Sequence, residues 1–301
     1  MKNRIGAFIV ALGLLAGCAM GAAAESGEAK APELLLPVAS GVKTVTGRKA
    51  VIDYSNIQDG YVMTKFTAES DRRLKVKVIG PSTEYIYNIN CQEWTTFPLG
   101  DGDGDYTVKV YEENPATGKY AVVATAKFTA ALTDEFAPFL RPNQYVNYEN
   151  APDTLAKAAE LTAEAEDPLE KVEKVYDFVV GHLTYDKKLA QTVQKTYLPV
   201  LDDVLAGGKG ICFDYAALMT AMLRSQGIPC KLVTGYVGAG NAYHAWISVW
   251  TEETGWVDGA IYFDGAAWHR MDPTFASSGN SSQSIMKYIG DGKNYSVKAF
   301  Y

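Results

Sequence analysis

Three residues in the second half of the chain could together activate a thiol: Cys212, His244 and Asp272. Cys212 follows glycines at 207, 208 and 210 and opens the run CFDYAALMTAMLRSQGIP, in which Ala217, Leu218, Ala221 and Met222 recur at helical spacing. The spacing predicts an amphipathic helix that begins at Cys212 and stops at Gly227-Ile228-Pro229. A cysteine in a first helical turn meets unpaired backbone N–H groups and the positive end of the helix dipole, and both favour a thiolate. Gly210, without a side chain, would let the backbone approach a substrate closely. Taken alone, a cysteine in this setting is more often a small packing residue, so the assignment turns on finding its base.

The chain has 3 histidines, so the search is short. His244 opens HAWISVW, whose alternation sets His244, Trp246, Ser248 and Trp250 on one face of a strand and Ala245, Ile247 and Val249 on the other. His269 lies in WHRMDPTF, three residues before Asp272 and so on the opposite side of an extended strand from it. His182 closes a helix and reads as a capping or packing residue. A thiol needs a base, and the base needs an acceptor that holds its tautomer, which makes Cys212, His244 and Asp272 a candidate triad.

The segments GKGICFDYAALMTAMLRSQGIPCKLVTGYV, HAWISVW and WHRMDPTF resemble the three motifs of the transglutaminase-like superfamily, over about residues 150–280. That resemblance implies a papain-like α+β core of helices on an antiparallel sheet, with Cys212 as nucleophile, His244 as its base and Asp272 orienting the histidine. Trp246 and Trp268 are expected to wall the site and Gly210 to contact substrate, the alternative for the tryptophans being plain core packing. Two features depart from the pattern. TEETGWVDGAIYFDGAA is longer than a short hairpin and suggests an added turn or flap at the cleft edge. No glutamine shortly precedes Cys212 to serve as second oxyanion donor, which leaves the Cys212 N–H as one candidate.

The elements that must hold these residues fall in two halves. With 48% apolar and 21% charged residues the chain has the composition of a globular protein with two modest cores. Residues 32–131 alternate with period two, as in Leu74, Val76 and Val78 against Arg73, Lys75 and Lys77, or Tyr106, Val108 and Val110 against Thr107 and Lys109. Turns such as Asp59-Gly60, Gly80-Pro81 and Asn114-Pro115 punctuate short strands, so this half is expected to be an immunoglobulin-like β-sandwich. Residues 132–301 form the catalytic domain: two helices separated by Asp167-Pro168, the Cys212 helix, then strands near 231–238, 244–250 and 267–271. The acidic run DGDGDYTVKVYE, residues 101–112, has calcium-loop spacing, but Tyr106 at the sixth place and the strand that follows favour a hairpin turn.

At the N-terminus, Lys2 and Arg4 precede the apolar run AFIVALGLLAGCAM, which is short for a membrane span and reads as an export signal. Leu15-Ala16-Gly17-Cys18 resembles a bacterial lipobox, which implies a signal over residues 1–17, a lipid anchor on Cys18 and a tether over 18–31; the alternatives are cleavage near Ala22–Ala24 or an uncut anchor. The chain would then be exported and held on the outer face of a bacterial membrane. Its formal charge of −7, and the lack of a basic cluster, argue against nucleic acid and toward an extracellular protein or peptide partner. With Cys18 lipidated, Cys91, Cys212 and Cys230 cannot all pair; a Cys91–Cys230 bridge and two free thiols both stand. Scarce histidine speaks against a metal site, and no cofactor is required. Two functions follow: a thiol enzyme acting on an amide through a thioester, as peptidase or acyltransferase, or a binding and adhesion module on the same scaffold.

Overall fold

The computed structural model describes residues 33–237, 242–252, 255–258, 260–263, 268–271 and 295–301. The leader, Cys18 and Asp272 lie outside them. The first half contains β1 (Thr44–Thr46), β2 (Ala50–Asp53), β3 (Tyr61–Phe66), β4 (Leu74–Ile79), β5 (Glu84–Ile89), β6 (Trp94–Pro98), β7 (Gly104–Asn114) and β8 (Lys119–Ala130). They form two four-stranded antiparallel sheets, ordered β1-β2-β3-β6 and β5-β4-β7-β8.

Alternation explains the second sheet. Leu74, Val76 and Val78 turn inward while Lys75 and Lys77 stay half-buried, and Tyr85, Tyr87 and Ile89 are buried against exposed Glu84, Ile86 and Asn88. β3 does not alternate, because Val62, Met63 and Thr64 are buried in succession. The acids of residues 101–112 each serve the sheets. The Ser82 and Thr83 N–H groups donate to Asp101, the Leu132 N–H to Asp103 and the Thr129 hydroxyl to Asp105, while Glu112 pairs with Lys49 at 2.7 Å. The run is thus a turn that enters β7 at Gly104.

The second half contains α1 (Pro152–Thr162), α2 (Pro168–His182), β9 (Thr184–Tyr185), α3 (Lys187–Thr192), α4 (Leu201–Gly207), β10 (Lys209–Gly210), α5 (Cys212–Ser225), β11 (Cys230–Val237), β12 (Ala242–Thr251), β13 (Gly255–Asp258), β14 (Ala260–Phe263), β15 (Trp268–Met271) and β16 (Tyr295–Phe300). Asp167 caps α2 by accepting the Glu170 N–H, and Val172, Val175, Tyr176 and Val179 form its buried stripe. The His182 ring sits 2.6 Å from the Leu205 carbonyl and stacks on Phe178, a packing role. In the long segment after β12 the described residues are strands, with β13 paired to β12 and β14 to β15.

The expectation of an amphipathic α5 needs correction. From Asp214 to Ser225 every residue is buried, because α1, α2 and α4 surround a helix that also lies on β11 and β12. Its polar side chains find internal partners in place of water. Arg224 donates to the carbonyls of Cys230 at 2.8 Å, Arg141 at 2.7 Å and Tyr301 at 2.6 Å. The sheet behind α5 runs β13-β12-β11-β16, antiparallel throughout. One hydrophobic core extends from the β half into the helical half, and Tyr301 joins them by packing edge-on against Tyr85 and Tyr87.

Two measurements check this account. Arg224→Ala would remove three charge-assisted hydrogen bonds, two of them buried, and should cost about 3 kcal/mol or more, seen as a lower urea midpoint at unchanged slope. The Lys49 ammonium, through its hydrogen bond, holds the Glu112 carboxyl below the ordinary value of about 4.5 against the opposing effect of burial. A depressed carboxyl stabilises the fold above its unfolded value and stops doing so as pH falls through the lower folded one. Glu112→Gln should therefore flatten the loss of stability below about pH 4.5 when melting is followed against pH.

Candidate active site

Cys212 stands where a short strand becomes the central helix. β10 pairs in parallel with β9, which follows α2 directly, so the approach to Cys212 is anchored before the helix starts. Ile211 is the extended residue ahead of α5, and its carbonyl accepts the Tyr215 N–H that begins the helix. Cys212 is half-buried and packs on the core. The first-turn N–H groups have no helical acceptors, and the dipole there favours negative charge.

Gly210 has a structural reason to be glycine that differs from the expected substrate contact. It is buried, and a Cβ on it would lie 2.5 Å from the Asp214 Cβ. Asp214, fully buried, takes the Ile211 N–H at 2.7 Å on one oxygen and the Tyr197 hydroxyl at 2.6 Å on the other. Burial pushes its carboxyl upward, against these two hydrogen bonds. Asp214 was within reach of sequence reasoning, since an acid three residues into a helix commonly binds back to the N–H at its start. Tyr197, in the irregular stretch between α3 and α4, carries no such signal.

His244 is placed by the sheet. From α5 the chain turns at Gly227 and returns along the helix as β11, with the Cys230 thiol 3.6 Å from the Thr220 hydroxyl. From Cys230 to Gly235 is about 17 Å of strand, and from Thr220 back to Cys212 about 12 Å of helix, so Gly235 lies toward the Cys212 end. Gly235 faces His244 across the ladder. It must be glycine because a Cβ there would collide with the Ser296 carbonyl of β16 and the Trp246 ring. His244 is 9% exposed and its ring stacks with Trp246 at 6.4 Å.

The structure therefore brings Cys212 and His244 onto elements that pack together, α5 and β12. Along β12, Ala245, Ile247 and Val249 enter the core shared with α5, while Trp246 packs with Val233 and Phe300 in a separate small cluster. Trp246, at 3% exposure, is buried by this packing. Trp268 is the first residue of β15, with its side chain outside the described residues, as is Asp272. Cys91, Cys212 and Cys230 are free thiols, and burial pushes the Cys230 thiol up to about 11. Among the described residues no cluster of His, Cys, Asp and Glu could hold a metal ion.

Residues 155–273 match the family model of the transglutaminase-like superfamily. This segment is a transglutaminase-like domain. It begins within α1 and contains Cys212, His244 and Asp272, while β1–β8 precede it. The chain is 32% identical over 121 residues to the kyphoscoliosis peptidase of Mus musculus, a match covering 40% of this chain and 17% of that protein. It is 39% identical over 70 residues to a protein-glutamine gamma-glutamyltransferase of Pseudomonas aeruginosa, covering 19% of this chain and 10% of that one. The match thus spans 17% or less of the length of these two relatives. Among solved structures, the periplasmic domain of TgpA from Pseudomonas aeruginosa aligns over 77% of this chain and 72% of its own, at 16% identity and a TM-score of 0.34.

In the transglutaminase-like domain the glycines before Cys212 should respond unequally to substitution. Gly210→Ala forces a Cβ into Asp214 and should destabilise by about 1–3 kcal/mol in urea unfolding. Gly207→Ala, where a Cβ meets nothing within 4 Å, should be neutral or slightly stabilising in the same measurement.

Proposed function

We propose that the transglutaminase-like domain is a thiol acyl-transfer enzyme acting on amide carbonyls. Its carrying observation is the placement of Cys212 at the head of a buried helix packed on the strand of His244, within a matched segment that also holds Asp272. His244 takes the Cys212 proton as the sulfur attacks the carbonyl carbon, and Asp272 holds the imidazole in the productive tautomer. The tetrahedral oxyanion is met by the Cys212 N–H at the helix start. Collapse to the thioester breaks the C–N bond, and His244 returns the proton to the departing amine. Water or a second amine then takes the acyl group, which makes the enzyme a peptidase or amidase in the first case and a protein-glutamine acyltransferase in the second. Hydrolysis is the preferred outcome, since water is always present.

In the same reading the chain is an exported lipoprotein held through Cys18 on the outer face of a bacterial membrane, and its substrate is an extracellular protein or peptide. The two sheets of residues 44–130 serve as an immunoglobulin-like module that spaces the site from the membrane or presents substrate. The lipobox-like order of apolar run, small residues and cysteine supports the anchor.

Alkylation of Cys212 by iodoacetamide, followed against pH by peptide mass spectrometry, tests the thiol–imidazole pair. The expected rate stays high well below the reference thiol value of about 8.5 and drops at least tenfold in His244→Ala. A slow rate that rises only near that value in both proteins would instead favour a binding module that has kept the fold. Once a substrate is in hand, His244→Ala should lower turnover by about 10²–10⁴-fold.

A further inference from the structure

We infer that Asp214 is a positioning residue for Cys212: its buried carboxylate, shared between the Ile211 N–H and the Tyr197 hydroxyl, fixes the main chain that presents the thiol. The inference rests on Cys212 being the nucleophile. Three consecutive main-chain groups ahead of Cys212 are held, one from the start of α3 and two from the first turn of α5. The Gly210 carbonyl accepts the Asp186 N–H at 2.9 Å, the Ile211 N–H donates to Asp214, and the Ile211 carbonyl accepts the Tyr215 N–H at 3.1 Å. Asp186 follows β9 and caps α3, so the β9–α3 junction and the first turn of α5 converge on the two peptides that flank Ile211.

The middle of these three holds depends on a side chain alone. Asp214 is fully buried, so without its partners the group would be a costly one to keep there. Its neighbour Gly210 is bare of side-chain atoms where Asp214 lies, which lets the carboxylate reach back to Ile211. Tyr197 closes the arrangement from the other side, with its ring edge-on to Phe213, the residue after Cys212. Displacing a reacting group by about 1 Å can cost on the order of 100-fold in rate, so a peptide held this firmly beside a nucleophile has a catalytic consequence.

The three free cysteines give a test internal to the full chain. Labelling by iodoacetamide at pH 6 is read separately at Cys212 and at Cys230, the buried thiol of β11, in wild type, His244→Ala, Asp214→Ala, Asp214→Asn and Tyr197→Phe. Asp214→Asn keeps an oxygen for the Ile211 N–H, and Tyr197→Phe removes one hydroxyl with its ring packing left in place. The expected pattern is a tenfold or larger loss at Cys212 in Asp214→Ala, a severalfold loss in Tyr197→Phe, and a rate within about threefold of wild type in Asp214→Asn, with Cys230 protected throughout. Unchanged Cys212 labelling in Asp214→Ala and Tyr197→Phe with Cys230 protected would overturn the inference while leaving the nucleophile intact. Cys230 becoming reactive in Tyr197→Phe would overturn it too, by showing that the lock merely holds the fold. Slow Cys212 labelling in wild type, equal to that in His244→Ala, would instead remove the nucleophile reading and the inference with it.

Discussion

The fold depends on one constraint: α5 is enclosed on every side, so each polar atom along it must be satisfied by protein. Helices of surface domains normally keep a wet face, and α5 has none beyond its first two residues. The enclosure orders the rest of the domain. α1, α2 and α4 are the cover on one side and β11 and β12 the floor on the other, and the polar groups find protein partners: Thr220 the Cys230 thiol, Ser225 the Met222 carbonyl of α5 itself, and Arg224 the carbonyls of Cys230, Arg141 and Tyr301. The end that escapes enclosure is the one that carries Cys212.

That exception links packing to chemistry. A fully buried helix is rigid because its neighbours interdigitate with it at close to crystal density. Its first turn inherits the rigidity while its N–H groups lack helical acceptors, which is the condition for stabilising negative charge without reorganisation. Gly235 extends the same logic to β12: the absence of a side chain lets β16 and Trp246 close in, and their closeness fixes the strand that carries His244.

The sequence made some of this legible and not the rest, for physical reasons. Strict alternation in β4 and β7, and the Asp167-Pro168 start of α2, are local patterns that report one-sided burial and capping directly. β3 escaped because both its faces are covered, and α3 and α4 because helices of 6 and 7 residues are too short to show a periodic stripe. The stripe of Ala217, Leu218, Ala221 and Met222 was visible, but the burial of Arg224 was not, since its acceptors come from residues 141, 230 and 301. In the candidate site, the family motifs marked Cys212 and His244; Asp214 had a local signal in its place in the first helical turn, whereas Tyr197 had none, because a hydrogen bond across 17 residues has no short-range signature.

The Arg224 clasp also couples distant stretches of chain. Its acceptors lie 6 residues beyond it at Cys230, 83 before it at Arg141 and 77 beyond it at Tyr301. Bringing the two distant acceptors to one guanidinium costs loop-closure entropy, which the clasp offsets only when all three carbonyls are in place. Release of any one of them would leave a buried cation short of an acceptor, a costly state. The clasp is in this sense a latch on the folded chain: it ties the stretch around Arg141 and the residue after β16 to the helix that carries Cys212, so that none of the three loosens alone.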